Sequence, residues 1–354
     1  MALIVAVVGT GLIGGSVGLA ARRRLGAHVR GVGPEARRAV ERGAADEAPG
    51  TLAQALRGAD AAFVAVPVDA LGATVDAVLA AAPPGCVVTD VGSAKRAVVA
   101  GRHDERFVGG HPLAGAEVAG VEHARENLFD GATWYLTPTP GASGVLLERL
   151  HRTITGLGAR PAIIDAETHD ALMAAVSHLP HVLANLLVSQ AVGALGGERV
   201  PQTGPSFRDA TRVAGANPAL WEGIYLANRD ALVAAVDEIL SALGEARAAL
   251  ARRDGDWLGA WQRRAAADRQ ALLDAGLAGG PVAELRAAVP NRPGVIAEIA
   301  LTLGREGINI SDMALSPSPD NSTGEIALWV PAPQAERARS LVGGLGFAVQ
   351  EGGA

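Results

Sequence analysis

Residues 3–14 read Leu3-Ile4-Val5-Ala6-Val7-Val8-Gly9-Thr10-Gly11-Leu12-Ile13-Gly14. The run from Leu3 to Val8 is wholly apolar and rich in β-branched side chains, which suits a strand buried on both faces of a parallel sheet. The residues after it form the pattern G-x-G-x-x-G. Between a strand and a helix each glycine has a task. Gly9 permits the tight turn, Gly11 lets a pyrophosphate reach the backbone, and Gly14 lets the helix lie close to the strand. Thr10, Leu12 and Ile13 complete a turn whose amides, with the helix dipole, hold phosphates. A helix is expected over Ser16 to Arg24.

Outward from this unit the pattern repeats. Strands are expected at His28–Val32, at Ala61–Val66 ending on Pro67, and at Val87–Asp90, with helical stretches between them. Strand alternating with helix predicts an α/β fold with a parallel, doubly wound sheet of the Rossmann type. Ligands of such sheets bind outside the carboxyl ends of the strands, which makes Pro67, Asp90 and Ser93 candidates for cofactor or substrate contact. Turn chemistry is the other reading of Pro67 and Asp90, and a helix N-cap that of Ser93.

The end of the second strand departs from the usual fingerprint. An NAD site places an acid there for the ribose 2′-hydroxyl. This chain has Gly33, then Pro34, Glu35, Ala36, Arg37 and Arg38. Either Glu35 substitutes for the acid, or Arg37 or Arg38 meets the 2′-phosphate of NADP, or both arginines are solvated helix positions. NAD is the expected cofactor, with NADP left open by Gly33.

The chain has 354 residues, enough for two or three domains, and 49% of them are hydrophobic, which excludes disorder for want of a core. A net charge of −6 offers no basic field for nucleic acid. The single cysteine, Cys86, excludes a disulfide scaffold and a cysteine-built zinc site. Lys95 is the only lysine among 31 basic residues, so arginine is used almost everywhere a base is needed. Ala2 to Ala21 carries no charge and is long enough to span a bilayer. Glycines interrupt it, and Arg22, Arg23 and Arg24 follow rather than precede it, so it reads as strand, turn and helix start. A cytoplasmic protein without membrane contact is expected.

From Gly109 the chain reads GGHPLAGAEVAGVEHARENLFDGATWYLTP. Ser177-His178-Leu179-Pro180-His181, Phe207-Arg208-Asp209-Ala210-Thr211-Arg212 and Asn217-Pro218-Ala219-Leu220-Trp221 follow in order. Unaided, His111 is a histidine before a proline, and His178 and His181 are buried histidines on an apolar helix that no acid or cysteine completes into a metal site. Lys95 is either an electrostatic group or a surface one. From about Leu3 to about Ala275 the chain resembles the prephenate dehydrogenase family, with GGHPLAGAE and SHLPH the most specific motifs. That resemblance implies oxidation of the C4 alcohol of prephenate by hydride transfer to a nicotinamide, with loss of CO2 to leave 4-hydroxyphenylpyruvate. It implies that His111 is the catalytic histidine and that Ser93 lies near the C4 hydroxyl. Arg212 then binds a substrate carboxylate, with Asp209 placed to hold it and Arg208 as a second base. Glu117 joins the network gating the site, His181 and Trp221 line the pocket, and His178 supports helix packing. Arogenate in place of prephenate is the nearest alternative, and a non-catalytic amino-acid sensor a remote one.

Helical periodicity runs from His169 to about Leu277, through Ala171–Val192, Leu220–Leu250 and Trp257–Leu273. Helices this apolar need a second surface, and the resemblance implies a homodimer built on them. Gly276 to Pro281 reads as a linker. Beyond it, strands at Val282–Val289, Ile308–Ser316, Glu325–Val330 and Phe347–Gln350, with helices at Val295–Arg305 and Gln334–Val342, give a ferredoxin-like βαββαβ order. With Pro290-Asn291-Arg292-Pro293-Gly294 and Gly307-Ile308-Asn309-Ile310, this part resembles an ACT domain. That implies an amino-acid effector, tyrosine being the natural one, held near Asn291, Gly294 and Asn309, or else a role in dimerisation alone. The expected domains are 1–165 (dinucleotide-binding), 166–278 (helical, substrate and dimerisation) and 282–354 (ACT).

Overall fold

A computed structural model describes residues 2–115, 118–194, 202–277, 282–318 and 322–351. The charge-free opening forms β1 (Ile4–Val8) and α1 (Leu12–Leu25). The helix begins at Leu12 rather than Ser16 because Gly11 turns the chain into it with extended backbone and no side-chain cap. In chain order follow β2 (His28–Val32), α2 (Ala36–Glu41), α3 (Leu52–Leu56), β3 (Ala61–Val64), α4 (Val68–Ala81), β4 (Val87–Asp90) and α5 (Arg96–Val99). β5 (Phe107–Pro112), β6 (Thr133–Pro138), α6 (Gly144–Gly156) and β7 (Arg160–Ile163) complete the domain.

The strands form one sheet in the order β2-β1-β3-β4-β5-β6-β7. Pairing is parallel except between β5 and β6. One face is covered by a core including Val17, Leu147 and Ile154, the other by Leu56, Leu71 and Val75. The chain leaves β1 for β2 on one side and reaches β3 on the other, so the crevice of a doubly wound sheet opens at the carboxyl ends of β1 and β3.

The helical domain starts at α7 (Ala166–Met173), capped by Asp165, which accepts the Thr168 amide. A π turn, Ala174–His178, joins it to α8 (Leu179–Gly193). Pro180 lies inside this continuous helix without an N–H to offer, and its ring presses on the carbonyl four residues back. Widening the preceding turn relieves both. By length and composition residues 166–193 are apolar enough to cross a membrane, yet they bury His169, Asp170 and His178. α9 (Pro205–Thr211) packs on α8. The periodic run from Leu220 divides at Asn228 into α10 (Pro218–Ala227) and α11 (Arg229–Arg252), followed by α12 (Gly255–Leu277). The helix therefore extends past Gly276, and the rest of the expected linker lies outside the described residues.

The C-terminal domain is β8 (Val282–Pro290), α13 (Val295–Arg305), β9 (Asp312–Pro317), β10 (Thr323–Pro331), α14 (Ala335–Gly344) and β11 (Val349–Glu351). Its antiparallel sheet has the order β11-β8-β10-β9. It is docked on the nucleotide-binding domain: a Cβ at Gly144 of α6 would strike Ile296, and the Gly294 turn, at φ +86°, lies against the Pro140 carbonyl. One apolar core runs from Leu147 and Leu150 on α6 through to Ile296, Ile299 and Leu328.

Candidate active site

The glycine turn forms an anion cradle. A Cβ at Gly9 would meet the Ala65 carbonyl and one at Gly14 the Gly9 carbonyl, whereas Gly11 faces open space. The first and third glycines thus permit packing, and the second leaves a clear approach to the first amides of α1, which no side chain caps. The buried Thr10 hydroxyl has no partner among the described residues. Pro67 starts α4 at the same crevice and is exposed. These residues fit a dinucleotide pyrophosphate.

At the ribose end of that crevice, Gly33 carries no side chain and Arg37 is exposed. Glu35 does not stand open as the missing acid. Its Oε2 accepts the Val121 amide at 2.7 Å and so ties α2 to the loop that follows β5. Arg38 stands 3.9 Å from Glu122 on the same loop, and the Arg125 amide donates to Ser16 Oγ at 3.0 Å.

His111 lies at the carboxyl end of β5, on the crevice side of the sheet. Gly110, just before it, packs so closely on β4 that a Cβ would press the Thr89 hydroxyl and the Asp90 carbonyl. His111 Nδ1 is 2.9 Å from His169 Nε2, and His169 Nδ1 is 2.8 Å from Asp170 Oδ1. Asp170 also accepts the amides of Lys95 (2.7 Å) and Arg96 (2.9 Å). Burial raises the Asp170 carboxyl, but the bonds from His169 and these two amides outweigh it and leave the group below its ordinary range. Burial, then His169, Lys95 and His178, hold the His111 imidazole well below its usual range, and burial with Lys95 lowers His169 in spite of Asp170. The pair is neutral near pH 7. A neutral histidine at a strand end can take up a proton; a charged one cannot.

Beneath it lies an ion pair with both side chains fully buried, Lys95 with Asp90. Asp90 accepts the Gly92 amide at 2.9 Å and the Gly110 amide at 3.1 Å. Two expectations are corrected here. Asp90 is sealed under the strand ends instead of facing a ligand, and Lys95 is no surface residue. Asp90 has donors on three sides and Lys95 is its counter-ion, so neither is available to solvent. Ser93, on the loop between them, is half-buried and caps no helix, since α5 starts behind Lys95.

The helical domain adds an aromatic wall. His181 stacks on Trp221 with ring centroids 3.3 Å apart, and His178 meets the same indole edge-on at 6.0 Å. His178 is buried, and its Nδ1 lies 3.1 Å from Asn228 Nδ2, which also donates to the Asp170 carbonyl at 2.8 Å. Burial pushes the His178 imidazole down to about 4. Asn228 therefore links the helix break to the His169–Asp170 segment. Arg212 opens the short turn after α9, a turn that packs beside α8; Arg212 itself is exposed, as are Arg208 and Asp209 on α9. Arg208 donates to the Thr203 carbonyl at 3.4 Å. Glu117 lies outside the described residues. The sequence reading overlooked His169, Asp170 and Asn228. An adjacent His-Asp pair at the head of an apolar helix was the available signal.

A glycine cradle at the switch point, with a buried histidine pair at the carboxyl end of β5 on the same edge of the sheet, fits a dinucleotide-dependent dehydrogenase. Residues 18–163 match the model of the prephenate dehydrogenase nucleotide-binding domain, residues 165–263 that of its dimerization domain, and residues 283–342 that of the ACT domain. The chain belongs to the prephenate dehydrogenase family. It is 34% identical over 220 residues to cyclohexadienyl dehydrogenase of Zymomonas mobilis, covering 60% of this chain and 75% of that one. With prephenate dehydrogenase of Bacillus subtilis it shares 29% over 331 residues, 89% of each chain. The Aquifex aeolicus prephenate dehydrogenase, solved with hydroxyphenyl propionate and NAD+, superposes with a TM-score of 0.68 at 28% identity, over 77% of this chain and 98% of that one.

Proposed function

We propose that this protein is a prephenate dehydrogenase of tyrosine biosynthesis, converting prephenate to 4-hydroxyphenylpyruvate and CO2. The observation that carries the reading is His111, a neutral imidazole held at a strand end beside the dinucleotide crevice. A nicotinamide in that crevice supplies the hydride acceptor. Gly9 to Gly14 would hold its pyrophosphate, and Pro67 would border it. His111 takes the proton of the C4 hydroxyl, with Ser93 on the neighbouring loop beside that oxygen. Arg212 supplies fixed charge for a carboxylate, as a guanidinium fork is suited to do, with Arg208 and Asp209 on the preceding helix, and the family resemblance assigns Glu117 to the network gating the site. His181 stacked on Trp221 presents a flat wall for the cyclohexadiene ring.

Initial rates in a two-by-two grid, prephenate or arogenate with NAD or NADP, test the reading. Activity with prephenate is the expected result. Because Glu35 is engaged by Val121 and Arg37 is exposed, NADP is expected to be accepted beside NAD. Arogenate alone as substrate would rename the enzyme, and silence in all four cells with a folded protein would leave the sensor reading.

Exposed Leu186, Leu187, Leu226, Leu240, Leu243 and Leu250 on the helical domain, together with the dimerization-domain match, support a homodimer closed through these helices. A cytoplasmic enzyme without nucleic-acid or membrane partners fits this picture. The ACT domain supports feedback by an amino acid, tyrosine by the logic of the product. A cavity of about 300 Å³ lies between the two docked domains, lined by Glu105 and Ser143 on one side and Asn291, Arg292 and Ile296 on the other. Gly294 is packed against Pro140 beside it, whereas Asn309 is exposed and not part of its lining. Tyrosine at about 100 times its dissociation constant is expected to lower the rate and to stabilise the fold by about 2.7 kcal/mol, read as a raised melting temperature. A melting curve and rate both indifferent to tyrosine would confine this domain to assembly.

A further inference from the structure

We infer that His169 and Asp170 set the tautomer of His111, leaving its Nε2 as the proton acceptor of the active site. The assignment follows from hydrogen-bond direction once both rings are neutral. Asp170 takes three donors, from His169 Nδ1 and the amides of Lys95 and Arg96, and a carboxylate in that position only accepts. His169 Nδ1 therefore carries the hydrogen. In a neutral imidazole the other nitrogen then has a free lone pair, so His169 Nε2 is an acceptor. The group facing it at 2.9 Å is His111 Nδ1, which must donate. By the same rule His111 Nε2 is left unprotonated. Reversing any one bond would set two N–H groups, or two lone pairs, against each other in a buried site.

The inference rests on the dehydrogenase reading for its consequence but not for its geometry. As the C4 alcohol of the substrate is oxidised, its hydroxyl proton passes to His111 Nε2. The resulting imidazolium donates through Nδ1 to His169, whose own N–H is held by the Asp170 carboxylate. When the ring loses CO2, the electron pair of the broken C–C bond makes the ring aromatic and the C4 oxygen a phenolate, and that oxygen takes the proton back. No proton is left on the enzyme. His169 and Asp170 never touch the substrate in this scheme. They are positioning residues, acting through His111.

The tautomers are read directly from long-range 1H–15N correlation spectra of protein labelled at its 8 histidines, with His111 and His169 assigned by substitution. Both rings are expected in the Nδ1–H form. His111 in the Nε2–H form overturns the inference whatever the enzyme's substrate proves to be. Kinetics give the second arm. His169→Gln places an amide oxygen near the lost Nε2 and is expected to retain turnover within about tenfold of the parent, while His169→Leu lowers kcat by about 10²- to 10⁴-fold with KM little changed. Equal rates for the two variants, or a loss expressed in KM and not in kcat, would also overturn it. If the unaltered protein turns over neither prephenate nor arogenate, the functional reading fails instead, and the spectra still decide the tautomers.

Discussion

Replacing His111 by asparagine is expected to lower kcat by about 10²- to 10⁴-fold, the range that a positioned general base contributes, while substrate and cofactor dissociation constants change little. The substitution is close to isosteric for the half of the ring that the fold uses. An asparagine amide reaches about as far as Nδ1 and can keep the donation that His169 accepts at 2.9 Å. What it removes is Nε2. Because the amide keeps the bond to His169, the cost to folding is small, and a loss of turnover reports chemistry. Stopped-flow measurement of the chemical step, with separate titration of substrate binding, checks the split. A variant that retains turnover within about tenfold would show that solvent or another group takes the proton, and the assignment of His111 would be wrong.

How much of this was legible in sequence depends on how local each signal is. β1, the glycine turn and α1 were readable because one short stretch contains the strand, the phosphate-binding turn and the helix start. The βαββαβ order of the C-terminal domain was readable for the same reason, with ends displaced by a few residues: the strand expected from Ile308 begins at Asp312. β5, β6 and β7 were not recognised. Phe107–Pro112 carries two glycines and a proline and imitates a turn, and its identity as a strand comes only from pairing with β4 and β6. Those glycines are needed where Gly110 crosses Asp90, a contact 20 residues away in sequence. The relay was less legible still. His111 meets His169 across 58 residues, and Asp170 meets the Lys95 amide across 75. Neither partner belongs to a motif of its own. Lys95 did leave a trace. In a chain that uses arginine for every other base, a lone lysine marks a place where the larger, forked guanidinium does not fit, and the structure finds it fully buried.

That lysine carries the largest expected effect on stability. Lys95→Met removes the counter-ion of a carboxylate with no exposure, leaving Asp90, among the described residues, with the Gly92 and Gly110 amides. Deleting one partner of a buried pair costs about 3–5 kcal/mol, because the remaining charge has lost both its solvent and its partner. Urea denaturation followed by tryptophan emission is suitable, since Trp134 is buried in the same domain with its indole nitrogen close to Gly110. The second substitution Asp90→Asn, made together with Lys95→Met, removes the orphan charge and is expected to recover much of the loss. Independent, additive losses would mean that the pair does not act as a unit. The same variant has a second signature. The positive charge of Lys95 lowers both His111 and His169, after burial, so its removal raises both. A base must be neutral to act, and activity falls as pH drops through its pKa. The acid limb of the parent's rate profile is expected to lie below the ordinary histidine range, and to move upward in Lys95→Met. An acid limb that stays in place while stability falls would assign Lys95 to the framework of the fold and leave the neutrality of His111 to burial and its histidine neighbours.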